Sequence, residues 1–250
     1  MPPSTPGTLS FARPRPAQRL ATFAAEPQPA ELDLSTTALV VVDMQNDFLH
    51  ADGWFPRSGV DPAPLKAVIP AISRLAAAAR AADVPVVFVN WGVRADVAEL
   101  PPLVLAKGSA GGTRPVYGDP SPAGRGRITV ATDWGAEVVE ELAPQEGDLL
   151  VHKHRLSGFT DNELDSVLRN RGIDTLLFTG INIDRCVFST LCDASFLGYG
   201  CVLVEDACAT PSPDYVRDAI LYLVRLLYGA TATADALMAA FTQQETKDKP

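Results

Sequence analysis

The feature that most constrains the fold is a set of short apolar runs, rich in β-branched residues, with no polar alternation inside them. Ala38-Leu-Val-Val-Val42, Val84-Pro-Val-Val-Phe-Val89, Leu149-Leu-Val151, Leu176-Leu-Phe178 and Cys201-Val-Leu-Val204 are the clearest. A strand with one wet face alternates apolar and polar residues, whereas a strand apolar throughout is buried on both faces, the condition of a parallel sheet covered by helices. Strands are therefore expected over 37–42, 84–89, 148–152, 175–179 and 201–204. Between them the period changes. Leu65, Val68, Ile69, Ile72, Leu75, Ala76 and Ala79 recur at helical spacing, with a deformation expected near Pro70. Further helices are expected over 132–142, 162–171, 186–197, 213–227 and 233–242.

Alternating strands and helices predict an α/β fold: a three-layer α/β/α, Rossmann-like domain with a mostly parallel sheet of five or six strands and right-handed crossovers. Its expected span is 37–242. Residues 1–36 read as a Pro-rich extension, with Pro at 2, 3, 6, 14, 16, 27 and 29, and residues 243–250 as a polar tail. Residues 91–127 carry Gly or Pro every few positions and no sustained period, which suits a lid or a substrate-determining loop.

Composition removes several classes of function. With 21 Lys+Arg against 30 Asp+Glu, the formal charge is −9. An acidic chain without a basic stripe is a poor partner for a phosphate backbone, so no nucleic-acid role is expected, and its charge favours a neutral or cationic small molecule. No apolar run approaches the roughly 18–20 residues that span a bilayer, and the N-terminus lacks the apolar core of a secretory signal, so no membrane association and a cytoplasmic location are expected. Cys186, Cys192, Cys201 and Cys208 form no C-x-x-C pair, which argues against structural zinc. His152 and His154 share one strand face but lack a third ligand, so no metal and no other cofactor are expected. Gly108 to Gly112 resembles a phosphate loop only in composition.

In open parallel sheets, ligands bind beyond the carboxyl ends of the strands. Asp43 ends the first expected strand and Lys153 the third. Cys186 follows the fourth after Gly180-Ile-Asn-Ile-Asp-Arg185, at an expected helix N-terminus. An acid, a cation and a thiol at one sheet edge suit nucleophilic acyl chemistry without histidine. The helix end and the ammonium are expected to lower the thiol pKa, while the carboxylate moves its proton. Backbone N–H groups of the turn are placed to hold an oxyanion. Cys192, Cys201 and Cys208 read as small core residues, and Asp47 as a residue that orders the loop after Asp43.

Three segments carry a resemblance: Val41-Val-Asp43-Met-Gln-Asn-Asp47-Phe48, Lys153-His-Arg155-Leu-Ser157-Gly-Phe159 and Gly180-Ile-Asn-Ile-Asp-Arg-Cys186-Val187. In that order the chain resembles the isochorismatase-like cysteine hydrolases, which include nicotinamidases and N-carbamoylsarcosine, ureidoacrylate and biuret amidohydrolases. The resemblance runs from Thr37 to about Gly229. It implies a catalytic Cys186–Asp43–Lys153 triad, an oxyanion hole from the N–H groups of Asn182 and Cys186, a cis peptide before Asn182, and a homodimer or homotetramer. The sequence departs from the pattern where many members carry a small residue and Thr in place of Asn182 and Ile183. The nicotinamidase Asp-x-His metal pair is also absent from Asn90-Trp-Gly-Val-Arg-Ala-Asp96. The isochorismatase branch lacks the cysteine, so Cys186 argues against vinyl-ether cleavage.

The expected activity is cysteine-dependent hydrolysis of a C–N bond in an amide, ureide or lactam through a thioester. A cationic streptothricin-type lactam suits the acidic charge; the alternatives are a small ureide such as biuret, a carbamoyl amino acid or ureidoacrylate, or a non-catalytic binding subunit. Phe48, Trp54, Trp91 and Phe159, with Phe55, are expected near the strand ends, as pocket walls or subunit contacts.

Overall fold

The computed structural model describes residue 9 and residues 16–243. The elements in chain order are β1 (Leu20–Phe23), β2 (Ala30–Asp33), β3 (Thr37–Val42), α1 (Asn46–Leu49), α2 (Trp54–Arg57), α3 (Ala63–Lys66), α4 (Ile69–Ala81), β4 (Val86–Trp91), α5 (Pro102–Gly108), β5 (Leu149–Lys153), α6 (Leu164–Asn170), β6 (Thr175–Ile181), α7 (Phe188–Phe196), β7 (Gly200–Ala209), α8 (Asp214–Leu223), β8 (Ala230–Ala232) and α9 (Ala234–Thr242). Six strands form one sheet in the order β5-β4-β3-β6-β7-β8, and every pairing in it is parallel. Helices flank the sheet, giving the expected α/β architecture. From β3 the chain winds outward through β4 to β5, then returns to the other side of β3 with β6. The strand order thus reverses between β3 and β6, which opens a crevice beyond their carboxyl ends.

The β3 run explains its central place. Leu39, Val40, Val41 and Val42 are all essentially inaccessible to solvent, and each such side chain contributes about 1.5–3 kcal/mol on burial. Val42 lies beside Gly180 in β6. Gly180 has φ 107°, and a Cβ there would run into the carbonyl oxygen of Val42. Only glycine lets the two strands approach so closely at the crevice.

Several elements differ from the sequence expectation. Residues 132–142 are not one helix but two short 3₁₀ turns, Trp134–Ala136 and Glu140–Leu142. The backbone between them pairs with the segment after β3 instead: Asn46 N donates to Glu137 O at 2.9 Å and Val139 N to Met44 O at 3.0 Å. The 91–127 segment begins inside the sheet, because Trp91 closes β4, and it contains α5, which starts at Pro102 directly after Pro101. A π-helical turn, Ile183–Val187, precedes α7, and another, Val224–Tyr228, follows α8. Pro70 lies in the first turn of α4, where its missing N–H costs nothing.

Of the expected 1–36 extension, residues 1–8 and 10–15 lie outside the described residues, and the part from 16 onward packs on the domain. β1 and β2 form an antiparallel hairpin whose Ala21, Phe23 and Leu32 join the main core. Arg19 ties the hairpin to the end of α4, donating from Nη1 to Ala82 O at 2.8 Å. Glu26 bridges to Thr231 in β8, a three-residue strand absent from the sequence reading. The tail expected from 243 lies outside the described residues beyond Gln243. Among the described residues no helix is long and apolar enough to cross a membrane.

Candidate active site

β3 delivers Asp43 to the crevice and turns sharply there. Asp43 has φ 53°, a left-handed conformation that Asp tolerates better than most residues. Its N–H donates to Val89 O at 3.0 Å, and its carbonyl accepts from Gln45 N at 2.8 Å. The turn brings the carboxylate beneath β4, where Oδ1 accepts the Trp91 backbone N–H at 2.9 Å. Oδ2 lies 3.0 Å from Lys153 Nζ, presented by the end of β5. Both side chains are buried, at 3% and 0% exposure. A buried ion pair is tolerable only when its remaining hydrogen-bonding capacity is met. Here Lys153 Nζ also donates to Arg155 O at 3.3 Å and sits 4.4 Å from the Trp91 ring centroid.

Cys186 comes from the other side of the reversal, on the π-helical turn after β6. The peptide before Asn182 is cis. The thiol borders the same chamber as the Asp43 carboxylate and interacts with it electrostatically, and Trp91 Nε1 donates to Sγ at 3.4 Å. Thr190 steadies this turn: its hydroxyl donates to Cys186 O at 2.6 Å and accepts from Gly158 N at 2.9 Å. The cysteine turn is thereby stitched to the loop that follows Lys153.

The electrostatics overturn one expectation. The Cys186 thiol is pushed up to about 12, chiefly by burial and then by the adjacent Asp43 charge, with Lys153 opposing. Desolvation and a neighbouring carboxylate outweigh the helix-end and ammonium effects that would have lowered it. Burial likewise raises the Asp43 carboxyl, against the opposing pull of Lys153, of the thiol and of the Trp91 N–H. At neutral pH Cys186 therefore rests as a neutral thiol beside the Asp43 carboxyl.

The loop after Asp43 is held by buried polar side chains. Gln45 Nε2 donates to Trp91 O at 2.7 Å and Ala136 O at 2.8 Å. Asp47 accepts from Thr129 N at 2.7 Å and Trp54 N at 3.2 Å, and Gly135 leaves room for its carboxylate. Asp47 is thus an organiser of three segments, away from the thiol.

Two adjoining cavities lie over the site. The inner one, about 70 Å³, is bordered by Asp43, Cys186, Asn182, Phe48 and Trp91, together with Phe55, Tyr117, Leu156 and Arg185. That is several-fold below the roughly 300–1,000 Å³ of sites for drug-sized ligands, so it suits a small head group. It opens into an outer cavity of about 640 Å³, with Trp54, Leu103 and Val104 among its apolar walls and Lys107, Arg114 and Arg155 among its cations.

The structure brings Asp43, Cys186, Asn182, Phe48 and Trp91 together at the inner chamber, with Lys153 buried behind Asp43. It places Trp54 in the wall of the outer one, where its Nε1 donates to Pro115 O at 2.9 Å. Phe159 is not among the residues lining either cavity; its ring packs 5.5 Å from that of Tyr199. Sequence reasoning missed Tyr117, whose ring stacks on Trp91 at 4.8 Å and 14°, in a loop with no periodic signal. It also missed Leu156, Arg155 and Arg185, although all three stand inside the motifs that carried the resemblance. Among the described residues no group of three or more His, Cys, Asp or Glu side chains is placed to hold a metal ion.

The isochorismatase domain profile matches residues 37–236. The chain belongs to the isochorismatase family. Ureidoacrylate amidohydrolase RutB of Azorhizobium caulinodans is 36% identical over 237 residues, covering 90% of this chain and 98% of the relative. The enzyme of the same name from Rhizobium rhizogenes is 36% identical over 241 residues, covering 93% and 94%. A cysteine hydrolase from Pseudomonas syringae pv. phaseolicola superposes with a TM-score of 0.70 at 26% identity, covering 84% and 94%. N-carbamoylsarcosine amidase from Thermoplasma acidophilum superposes with a TM-score of 0.62 at 30% identity, covering 80% and 97%. Within the isochorismatase family the chain falls among the amidohydrolases, enzymes of carbon–nitrogen bonds other than peptide bonds.

Proposed function

We propose that this protein hydrolyses the terminal C–N bond of a small ureide through a thioester on Cys186. The observation that carries the reading is the meeting of a neutral thiol, a carboxylate and an ammonium at the floor of one small chamber at the strand-order reversal. In the cycle, the thiol attacks the carbamoyl carbon as Asp43 takes its proton. Asp43 then returns that proton to the departing nitrogen, which leaves as ammonia. Water attacks the resulting acyl-enzyme, again losing a proton to Asp43, and the C–S bond breaks as the proton returns to sulfur. Lys153 holds the carboxylate in place and balances its charge, and the N–H groups of Asn182 and Cys186 are assigned to the oxyanion.

Two observations favour a ureide. Three of the four relatives named above are ureidoacrylate and N-carbamoylsarcosine enzymes. Within the chamber, Asn182 Oδ1 is buried without a hydrogen-bond partner, and a ureide supplies an N–H donor that would satisfy it. The cationic lactam gains no such support, because the ionised side chains that line the outer cavity are Lys107, Arg114, Arg155 and Arg185. These would repel it.

The test is ammonia release from a panel of ureides, primary amides and cationic lactams, with Cys186→Ala protein as the blank. We expect Cys186-dependent release from ureides. Equal release from Cys186→Ala protein, or turnover confined to the lactams, would overturn the reading.

A further inference from the structure

Resting on the ureide reading, we propose that Arg185 is a specificity-determining residue that reads a carboxylate on the substrate, and that the outer cavity receives a bulky apolar body attached to it. The first ground is charge. The chain carries a formal −9, yet the ionised side chains lining the outer cavity are all cationic: Lys107, Arg114, Arg155 and Arg185. A local reversal of the overall sign at the mouth of a reaction chamber draws anions inward.

The second ground is position. Arg155 is paired with Asp161 at 3.5 Å, and Arg114 donates from Nε to Gly108 O at 3.0 Å with its guanidinium 5.7 Å from the Trp54 ring centroid. Arg185 borders both cavities, one residue from the thiol. A carboxylate a few bonds from the attacked carbonyl falls within its reach.

The third ground is preorganisation. Arg185 Nη2 donates to Ser212 Oγ at 3.2 Å, and Nε lies 3.7 Å from Asp184 Oδ2. Asp184 is itself fixed by the hydroxyls of Thr210 at 2.6 Å and Ser212 at 2.8 Å. One edge of the guanidinium is thus anchored, while Nη1 has no protein acceptor among the described residues. A planar fork held on one side and open on the other is suited to a carboxylate.

Size supplies the apolar half of the inference. The inner chamber accommodates a carbamoyl head and no side chain. The outer cavity, at about 640 Å³ with Trp54, Phe55, Leu103, Val104, Tyr117 and Leu156 in its walls, falls in the range that encloses drug-sized ligands. Leu103 and Leu156 are 68% and 50% exposed, and a three-carbon acid would leave them so. An N-carbamoyl acid with an aromatic or branched body would cover them.

The experiment measures calorimetric binding to Cys186→Ala protein of N-carbamoylphenylalanine, its neutral carboxamide, and N-carbamoylglycine. The acid is expected to bind about 10- to 100-fold tighter than the carboxamide, and tighter than the glycine compound. Adding Arg185→Gln should reduce the acid-over-carboxamide ratio to below about threefold, whereas Arg185→Lys, which keeps the charge without the fork, should retain part of it. Absent binding of the acid, equal binding of acid and carboxamide, a ratio that survives Arg185→Gln, or glycine binding as tight as phenylalanine would overturn the proposal. The comparison of ligands on the parent protein needs no Arg185 variant to fold. Ammonia release by the wild-type protein from the same compounds separates the two readings. Charge-selective binding without Cys186-dependent release overturns the hydrolase and keeps the Arg185 assignment. Release without charge selectivity does the opposite.

Discussion

The floor and the wall of this site are built by different rules. The floor is set by strand ends: Asp43 closes β3, Trp91 closes β4, Lys153 closes β5, and Cys186 stands one turn beyond β6. Its charged groups are buried and paired within the protein. The wall is set by the short helix α5 and the irregular chain around it between 97 and 131, the α2 turn and the loop after Lys153, and its cations are partly exposed, as with Arg155 beside Asp161 at 25% and 62% exposure. A rigid sheet fixes reacting groups, and loops shape what reaches them. The same class of interaction, an ion pair, should therefore have very different weight in the two places.

The largest contrast concerns chemistry. Asp43→Asn keeps the shape of the floor but removes the proposed base, and kcat should fall by about 10²- to 10⁴-fold; steady-state kinetics with an intact fold by circular dichroism checks this, and a loss below tenfold would break the proposed role. Next comes stability. Lys153→Met leaves the Asp43 charge buried without its partner and should cost about 3–5 kcal/mol by urea denaturation.

The thiol offers a third test, through pH. Because burial raises Cys186 from the usual 9.0 to about 12, the neutral thiol dominates up to and beyond pH 9. Its alkylation rate in the free protein should climb about tenfold per unit between pH 7 and 9 without levelling. A plateau near pH 7.5, read by peptide mass mapping, would show a standing thiolate and reverse the electrostatic picture. The linked stability has the same sign: it is fully present below about 9 and is lost as pH rises toward about 12. The smallest effect belongs to the wall, where Asp161→Asn should change stability by less than about 1 kcal/mol.

The floor was far more legible in the sequence than the wall, for a physical reason. A doubly buried strand must be apolar throughout, so the first polar residue after it stands out, and Asp43 was visible on that ground alone; Lys153 stands behind His152 in an edge strand with Leu150 half exposed, and needed its motif as context. Cys186 needed its turn as context. Tyr117 and Arg114 lie in chain whose course is fixed by particular tertiary bonds, such as Trp54 Nε1 to Pro115 O, and no period announces such bonds. The β1–β2 hairpin and β8 were missed because four- and three-residue strands carry too little pattern to stand out. The thiol was misjudged because helix ends and charges are visible in a sequence and desolvation is not.

Trp91 joins the two regions through one side chain. Its backbone N–H meets Asp43, its indole N–H meets Cys186, one ring contact is with Lys153 and another with Tyr117. The consequence is mechanical. A residue held at four points acts as a lever: shifting it moves the donor to the carboxylate, the donor to the thiol and the stacked wall at Tyr117 together.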